Sequence, residues 1–156
     1  MATKPRWDDV LTWRGYKFTR RAIQSLRWVE DKSGVRIDPA QGSFNAGGVS
    51  ASGGTHDQEA IDIRVRGLSP AEIERLVIWL RKAGWAAWYR RAVPGLWGAH
   101  VHAVPTTGKL SPQAAYQVRA YDAGRDGLAG NRPDPTWRPR IKRRWSYALN
   151  KPVPRV

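Results

Sequence analysis

Apolar positions recur along this chain with two periods, and each change of period marks an element. From Thr19 to about Lys32, Ile23, Leu26 and Val29, with the neighbouring Trp28, recur at helical spacing, and Gly34 follows as a stop. A second helix is more sharply bounded: Ser69 suits an N-cap, Pro70 the first turn and Glu72 a capping box. Its stripe is Ile73, Leu76, Val77 and Leu80, and Gly84 ends it. A third helix is predicted from Ser111-Pro112 to about Ala123, through Ala115, Val118 and Tyr121. Between the helices the period falls to two. Ile61, Ile63 and Val65 alternate with Ala60, Asp62 and Arg64, and Trp85, Ala87 and Tyr89 with Ala86, Trp88 and Arg90. A further strand is expected from about Ala99 to Val104, after a turn at Val93-Pro94-Gly95. Val35-Arg36-Ile37 reads as a short strand, and residues 1–16 as an irregular lead-in. This order predicts an α+β domain with a small, mostly antiparallel sheet and flanking helices.

Two segments show neither period. Asp38 to Thr55 is crowded with Gly, Ser, Asn and Ala, and a loop of that length is usually functional or disordered. Beyond Gly124 the chain turns to Gly, Asn, Pro and Arg and reads as a poorly packed tail. The expected organisation is a folded domain over residues 1–130, which holds the candidate chemistry, and a basic Pro/Arg-rich tail over 131–156.

Composition narrows the chemistry. The 156 residues suffice for one core, and no apolar run approaches the roughly 20 residues that span a bilayer. The polar N-terminus lacks a signal-peptide core, so synthesis in a cytoplasm without a signal peptide is expected. The absence of cysteine excludes disulfides and thiolate metal sites, leaving nitrogen and oxygen ligands. The net charge is +14, and residues 132–156 carry eight Lys/Arg against one Asp. Such charge attracts a polyanion: nucleic acid, an anionic membrane or an anionic cell wall. No zinc-knuckle spacing, helix-turn-helix signature or RNP-like strand favours nucleic acid. The nine tryptophans suit a groove for carbohydrate or peptide, or a core.

All three histidines fall in two short stretches, Gly53 to Asp62 and Trp97 to His102. His100 and His102, two apart, share a strand face, and Asp62 is displayed opposite the apolar face of its own strand. A catalytic zinc typically takes three protein ligands, and His56, Asp62 and His102 can supply them, with His100 beside them for proton transfer. In an extended chain His56 and Asp62 would lie roughly 20 Å apart, so the residues between must fold back. Alternatives remain at this point. His-x-His can be a plain strand pair, His56 a polar loop residue, Asp57 a rival ligand, and Asp62 a partner of Arg64 or Arg66.

At these residues the chain resembles the D-alanyl-D-alanine carboxypeptidase-like zinc peptidases of the hedgehog/DD-peptidase fold, notably compact phage and actinobacterial forms. Ser52 to Asp62 is similar to the family's Ser-x-His-x-x-Gly-x-Ala-x-Asp motif, and Trp97 to His102 to its closing His-x-His strand. Gln41-Gly42-Ser43-Phe44 resembles the preceding turn, and Tyr121 to Ala129 the region after the domain. The likeness covers roughly residues 15–130, with one residue fewer between His56 and Asp62 than the family pattern and no Glu-x-x-His. It implies Zn2+ on His56, Asp62 and His102, His100 as base or oxyanion partner, and substrate contacts at Gln41 and Trp97. Trp88 is expected beside Trp97 in the cleft wall. The implied activity is cleavage of peptidoglycan stem peptides or cross-links by an endolysin-like enzyme, acting after release or as part of a phage particle. Its basic tail would bind an anionic wall polymer. An inactive wall-binding or virion module on the same fold is the alternative.

Overall fold

The computed structural model describes residues 3, 6–45, 54–135 and 140–155. Among the described residues the chain is α+β, with three α-helices and small antiparallel sheets. The expected irregular lead-in instead contains a hairpin, β1 (Val10–Trp13) and β2 (Tyr16–Thr19). Both turn residues, Arg14 and Gly15, have positive φ (52° and 86°), the twist a two-residue hairpin loop requires. Arg at the first of these positions hides the usual turn signal, and Val10 and Leu11 stay exposed, so no alternation shows.

Thr19 then caps α1 (Arg20–Ser33), accepting from the Ala22 N–H, and Gly34 closes it in the left-handed region. The strand expected at Val35–Ile37 lies later, as β3 (Pro39–Gln41). The reason is in the backbone hydrogen bonds. Val35 N–H donates to Ser33 Oγ, Ile37 N–H donates to Glu30, and Ile37 O accepts from Arg14, so side chains occupy the groups a ladder would use. Val35 and Ile37 still bury their side chains in the core.

The central sheet has the order β3-β4-β6-β5 and is antiparallel throughout, with β4 at Ile61–Arg64, β5 at Trp85–Arg90 and β6 at His100–Pro105. The helix α2 (Pro70–Lys82) has the full capping box of Ser69 and Glu72. Ile61, Ile63, Ala87, Val101 and Ala103 pack from one sheet face against Leu26 and Val29 of α1 and Leu76, Val77 and Leu80 of α2. On the other face, Ala60, Ala86, Trp88 and Val104 meet Ala114, Val118 and Tyr121 of α3 (Pro112–Asp122). Because α3 covers only part of that face, the rest is left for a site.

The segment beyond Gly124 is not poorly packed in its described part. It forms the hairpin of β7 (Arg143–Ser146) and β8 (Lys151–Pro154). Trp145 is 8% exposed and meets Trp28 edge-on, Arg155 pairs with Asp122 at 2.5 Å, and Asp134 pairs with Arg140 at 2.6 Å. Gly84 makes room for the hairpin, since a Cβ there would stand 2.8 Å from Arg144 Cα. Single anchors rather than a periodic stripe hold it, so hydrophobic periodicity does not reveal it. No helix among the described residues is long and apolar enough to cross a membrane.

Candidate metal centre

Strand register builds the site. Gln41, Asp62, His102 and Trp88 lie side by side across the four strands, and Arg64, His100 and Arg90 form the adjacent row across three. All belong to the face opposite the main core, as their period of two demands.

His56 arrives from a different direction. Gly54, at φ 83°, starts a 3-10 turn over Thr55–Asp57 that folds the chain back between His56 and Asp62. Its return is fixed by Asn45 N–H donating to His56 O at 2.8 Å and Phe44 N–H to Gln58 O at 3.0 Å. Glu59, fully buried, locks the far end: it accepts from Thr19 Oγ1 at 2.6 Å, from Arg21 at 2.5 Å and from the Lys109 N–H at 2.8 Å. The turn requirement read from the spacing is thus met by a 3-10 turn anchored on both sides.

Three histidine nitrogens converge on one carboxylate oxygen. Asp62 Oδ1 lies 2.7 Å from His102 Nδ1, 3.4 Å from His56 Nε2 and 3.8 Å from His100 Nε2. His56 Nδ1 is 2.8 Å from Gly42 O, and His100 Nδ1 is 2.8 Å from Gly98 O. A carbonyl only accepts, so both rings carry their proton on Nδ1 and, when neutral, turn a lone pair at Nε2 toward Asp62. His56 Nε2 is buried and has no hydrogen-bond partner. A lone pair facing a carboxylate is unfavourable unless a cation lies between them. On His102 the far nitrogen, Nε2, is 2.8 Å from Gln117 Oε1 of α3, which accepts a hydrogen bond from Nε2–H and leaves Nδ1 to face Asp62. Gly42 cannot carry a side chain, because a Cβ would meet Tyr16 Cβ at 2.8 Å, so the carbonyl that orients His56 sits in a close backbone approach.

The electrostatics agree with this geometry. Burial by itself would raise the Asp62 pKa, but the His102 and His56 imidazoles beside it outweigh that and hold the carboxyl far below the usual carboxylate range. Burial pushes the His102 imidazole down against the pull of Asp62, which favours the neutral ring that a metal needs. His56, Asp62 and His102 each offer one ligand atom within 4.8 Å of the others, and this group could hold a metal ion. Two imidazoles and a carboxylate, with no thiolate, fit zinc. The histidines with fixed outer hydrogen bonds are the arrangement that orients such ligands.

The group opens on a cavity of about 360 Å³. Gln41 and Trp97 line it, as does His100, and Gln41 Nε2 is buried without a partner. Trp97 meets His100 edge-on at 6.2 Å. Trp88 is placed differently from the cleft wall expected of it: it is 1% exposed and stacks behind His102 at 6.1 Å. Asp57 is exposed and outside the cluster, and Arg64 pairs with Asp38 rather than with Asp62. Two residues of the site have no motif to announce them. Gln117 comes from a helix with no chemical signature, whereas Arg90 could have been found from its parity with Trp88 on an otherwise apolar strand. No family model, curated protein or solved structure matches the chain. What it does is therefore inferred from the chemistry of the site.

Proposed function

We propose that this chain is a zinc-dependent peptidase of the hedgehog/DD-peptidase type, cleaving peptidoglycan stem peptides or cross-links as an endolysin of a phage or prophage does. The observation that carries this reading is the convergence of His56, His100 and His102 on Asp62 Oδ1 at the wall of a cavity large enough for a peptide. The likeness of Ser52–Asp62 and Trp97–His102 to the family's motifs supports the same chemistry.

His56, Asp62 and His102 would hold the ion. When bound, zinc supplies a Lewis acid that polarises a carbonyl and lowers the pKa of water. The chain's own residues do the rest. Gly42 O and Gln117 keep the two ligand rings in their tautomers. His100, its Nδ1–H held by Gly98 O, presents Nε2 as the base that takes a proton from the attacking water and returns it to the departing amine. The unpartnered amide of Gln41 offers a hydrogen bond to a substrate carbonyl, and Trp97 forms an apolar wall. The basic C-terminal segment would hold the enzyme to an anionic wall polymer.

One observation favours a second reading, a wall-binding module without catalysis. Among the described residues lining the cavity, Asp62 is the only carboxylate, so no Glu or Asp is left to act as base if His100 does not. Metal content of the purified protein, measured by elemental mass spectrometry beside Asp62→Ala, is the test. About one zinc per chain, lost in the variant, with hydrolysis of wall peptides, is the expected result. A folded wild type that takes up no zinc at neutral pH sinks the peptidase reading, and zinc without hydrolysis leaves the binding module.

A further inference from the structure

The loop between β5 and β6 carries a surface that the metal centre does not use. Residues 92–99 read Ala-Val-Pro-Gly-Leu-Trp-Gly-Ala, a run without a single charge. All are exposed except the half-buried Trp97, with Val93 at 37% and Leu96 at 57%. A contiguous apolar surface of this kind ordinarily marks an interaction site. Leu96, Trp97, Gly98 and Ala99 border the cavity, so a substrate accounts for that part of the loop. Ala92, Val93, Pro94 and Gly95 do not border it, and a substrate leaves their exposure without a purpose.

The loop is folded on itself. Val93 N–H donates to Trp97 O at 2.9 Å, and the Leu96 and Trp97 N–H groups both donate to Val93 O, at 3.0 and 3.1 Å. The Trp97 indole N–H donates to Arg91 O at 3.0 Å. Pro94 has no N–H to satisfy, and Gly95 takes the turn at φ 79°. Backbone groups already bonded inside the loop lower the cost of moving it from water into an apolar medium. Cations surround this tip. Arg91 is exposed at its base, and Arg125 and Arg132 are exposed on a segment held against β5 by Trp88 Nε1 donating to Arg125 O and Arg90 donating to Asp126 O. Asp126, the one acid between those two arginines, is half-buried and accepts from the Leu128 N–H at 2.9 Å.

An apolar tip with a tryptophan and a collar of arginines matches the interface of an anionic lipid bilayer. There, aliphatic side chains enter the acyl region, tryptophan sits at headgroup depth and arginines meet the phosphates. We propose that the loop of residues 92–99 inserts into the surface of an anionic bilayer and docks the chain there, with the mouth of the cavity beside the headgroups. This goes beyond the peptidase reading and does not depend on it, because no residue of the metal cluster takes part. The other exposed large apolar residues lack these features. Val10 and Leu11 follow Asp8 and Asp9, which an anionic surface repels, and Leu149 stands alone in the turn of the C-terminal hairpin.

The test is co-sedimentation of the full-length protein with vesicles of phosphatidylcholine alone and of phosphatidylcholine with phosphatidylglycerol at a ratio of about 2:1, at low and at raised salt. Wild type is compared with the double variant Val93→Ser, Leu96→Ser and with Leu149→Ser, each fold being checked by circular dichroism. The expected result is binding of wild type to the mixed vesicles only, with a part that survives raised salt because apolar burial is not screened. That part falls roughly tenfold or more in the loop variant and is unchanged in Leu149→Ser. Lipids brominated in the acyl chains are expected to quench part of the wild-type tryptophan fluorescence, a readout that needs no substitution. Equal binding to both kinds of vesicle overturns the anionic partner. Binding that salt abolishes entirely, or that the loop variant retains in full, overturns insertion and leaves the net charge of +14 as its cause. Absence of both binding and quenching also overturns the proposal. So does self-association that the loop variant loses while vesicles go unbound, which assigns the loop to a second copy of the chain. Neither zinc content nor hydrolysis enters the readout, so failure here and failure of the peptidase reading are distinguishable.

Discussion

His100 and His102 are two residues apart on one strand and occupy different chemical positions. His102 is 6% exposed, held at Nε2 by Gln117, faced at Nδ1 by Asp62 and backed by Trp88, so its ring has one orientation. His100 is held only at Nδ1 and borders the cavity. A ligand and a proton carrier differ in this way, because the first must be fixed and the second must reach the substrate. His102→Ala is expected to lose zinc and hydrolysis together. His100→Ala is expected to keep about one zinc and to lose on the order of 10²–10⁴-fold in kcat. Metal content and kcat measured on the same preparations check both, and equal loss of metal in the two variants would make His100 a ligand. The pair, with Asp62, was legible in the sequence because strand alternation fixes which side chains share a face. Gln117 was not, since it meets His102 only through the docking of α3, which no spacing in the chain encodes.

At the scale of elements, the site depends on a loop held by a buried ion pair. Glu59 ends the 3-10 turn segment that delivers His56, and its carboxylate ties that segment to Thr19 and Arg21 at the start of α1 and to Lys109 before α3. Removing one charge of such a pair leaves the other buried and uncompensated, a loss of about 3–5 kcal/mol. Arg21 also pairs with Asp8 at 2.9 Å, which softens the loss. Glu59→Gln is therefore expected to lower stability by about 3 kcal/mol in urea unfolding and to weaken zinc binding through His56. Unchanged stability would show that the loop is held by its backbone hydrogen bonds alone. The elements themselves are unevenly legible in the sequence, for physical reasons. The helix α2 carries its own boundaries in Ser69, Pro70, Glu72 and Gly84, and β4 its own alternation. β3 was displaced because Glu30, Ser33 and Arg14 bond the backbone of Val35 and Ile37, a tertiary effect that outweighs local β-propensity.

Across the whole molecule, the C-terminal segment packs against the core and also carries the charge proposed to bind an anionic polymer, and its composition confuses the two. Arg and Pro suggest a solvated basic arm, but Trp145 is buried against Trp28, and Arg155 reaches back to Asp122 on α3. Lys142, Arg144 and Lys151 are the exposed charges of the same hairpin. Packing and the proposed polyanion binding therefore fall on different residues and can be separated. Trp145→Ala removes a large buried aromatic and is expected to cost about 3 kcal/mol, the low end for such a truncation. In a domain of this size that is a fall of roughly 6–12 °C in Tm. The triple substitution Lys142→Gln, Arg144→Gln, Lys151→Gln touches exposed positions, where each change is worth about 0.5 kcal/mol or less in stability. It removes three positive charges from one hairpin, so affinity for a purified anionic wall polymer is expected to fall at low salt and to lose part of its salt dependence. Thermal unfolding and polymer binding at rising ionic strength, measured on both variants, give a crossed pattern if the duties are separate. Should the triple variant bind the polymer as tightly as wild type, the wall contact lies elsewhere on this +14 chain, and the hairpin serves only to close the core beside Trp28.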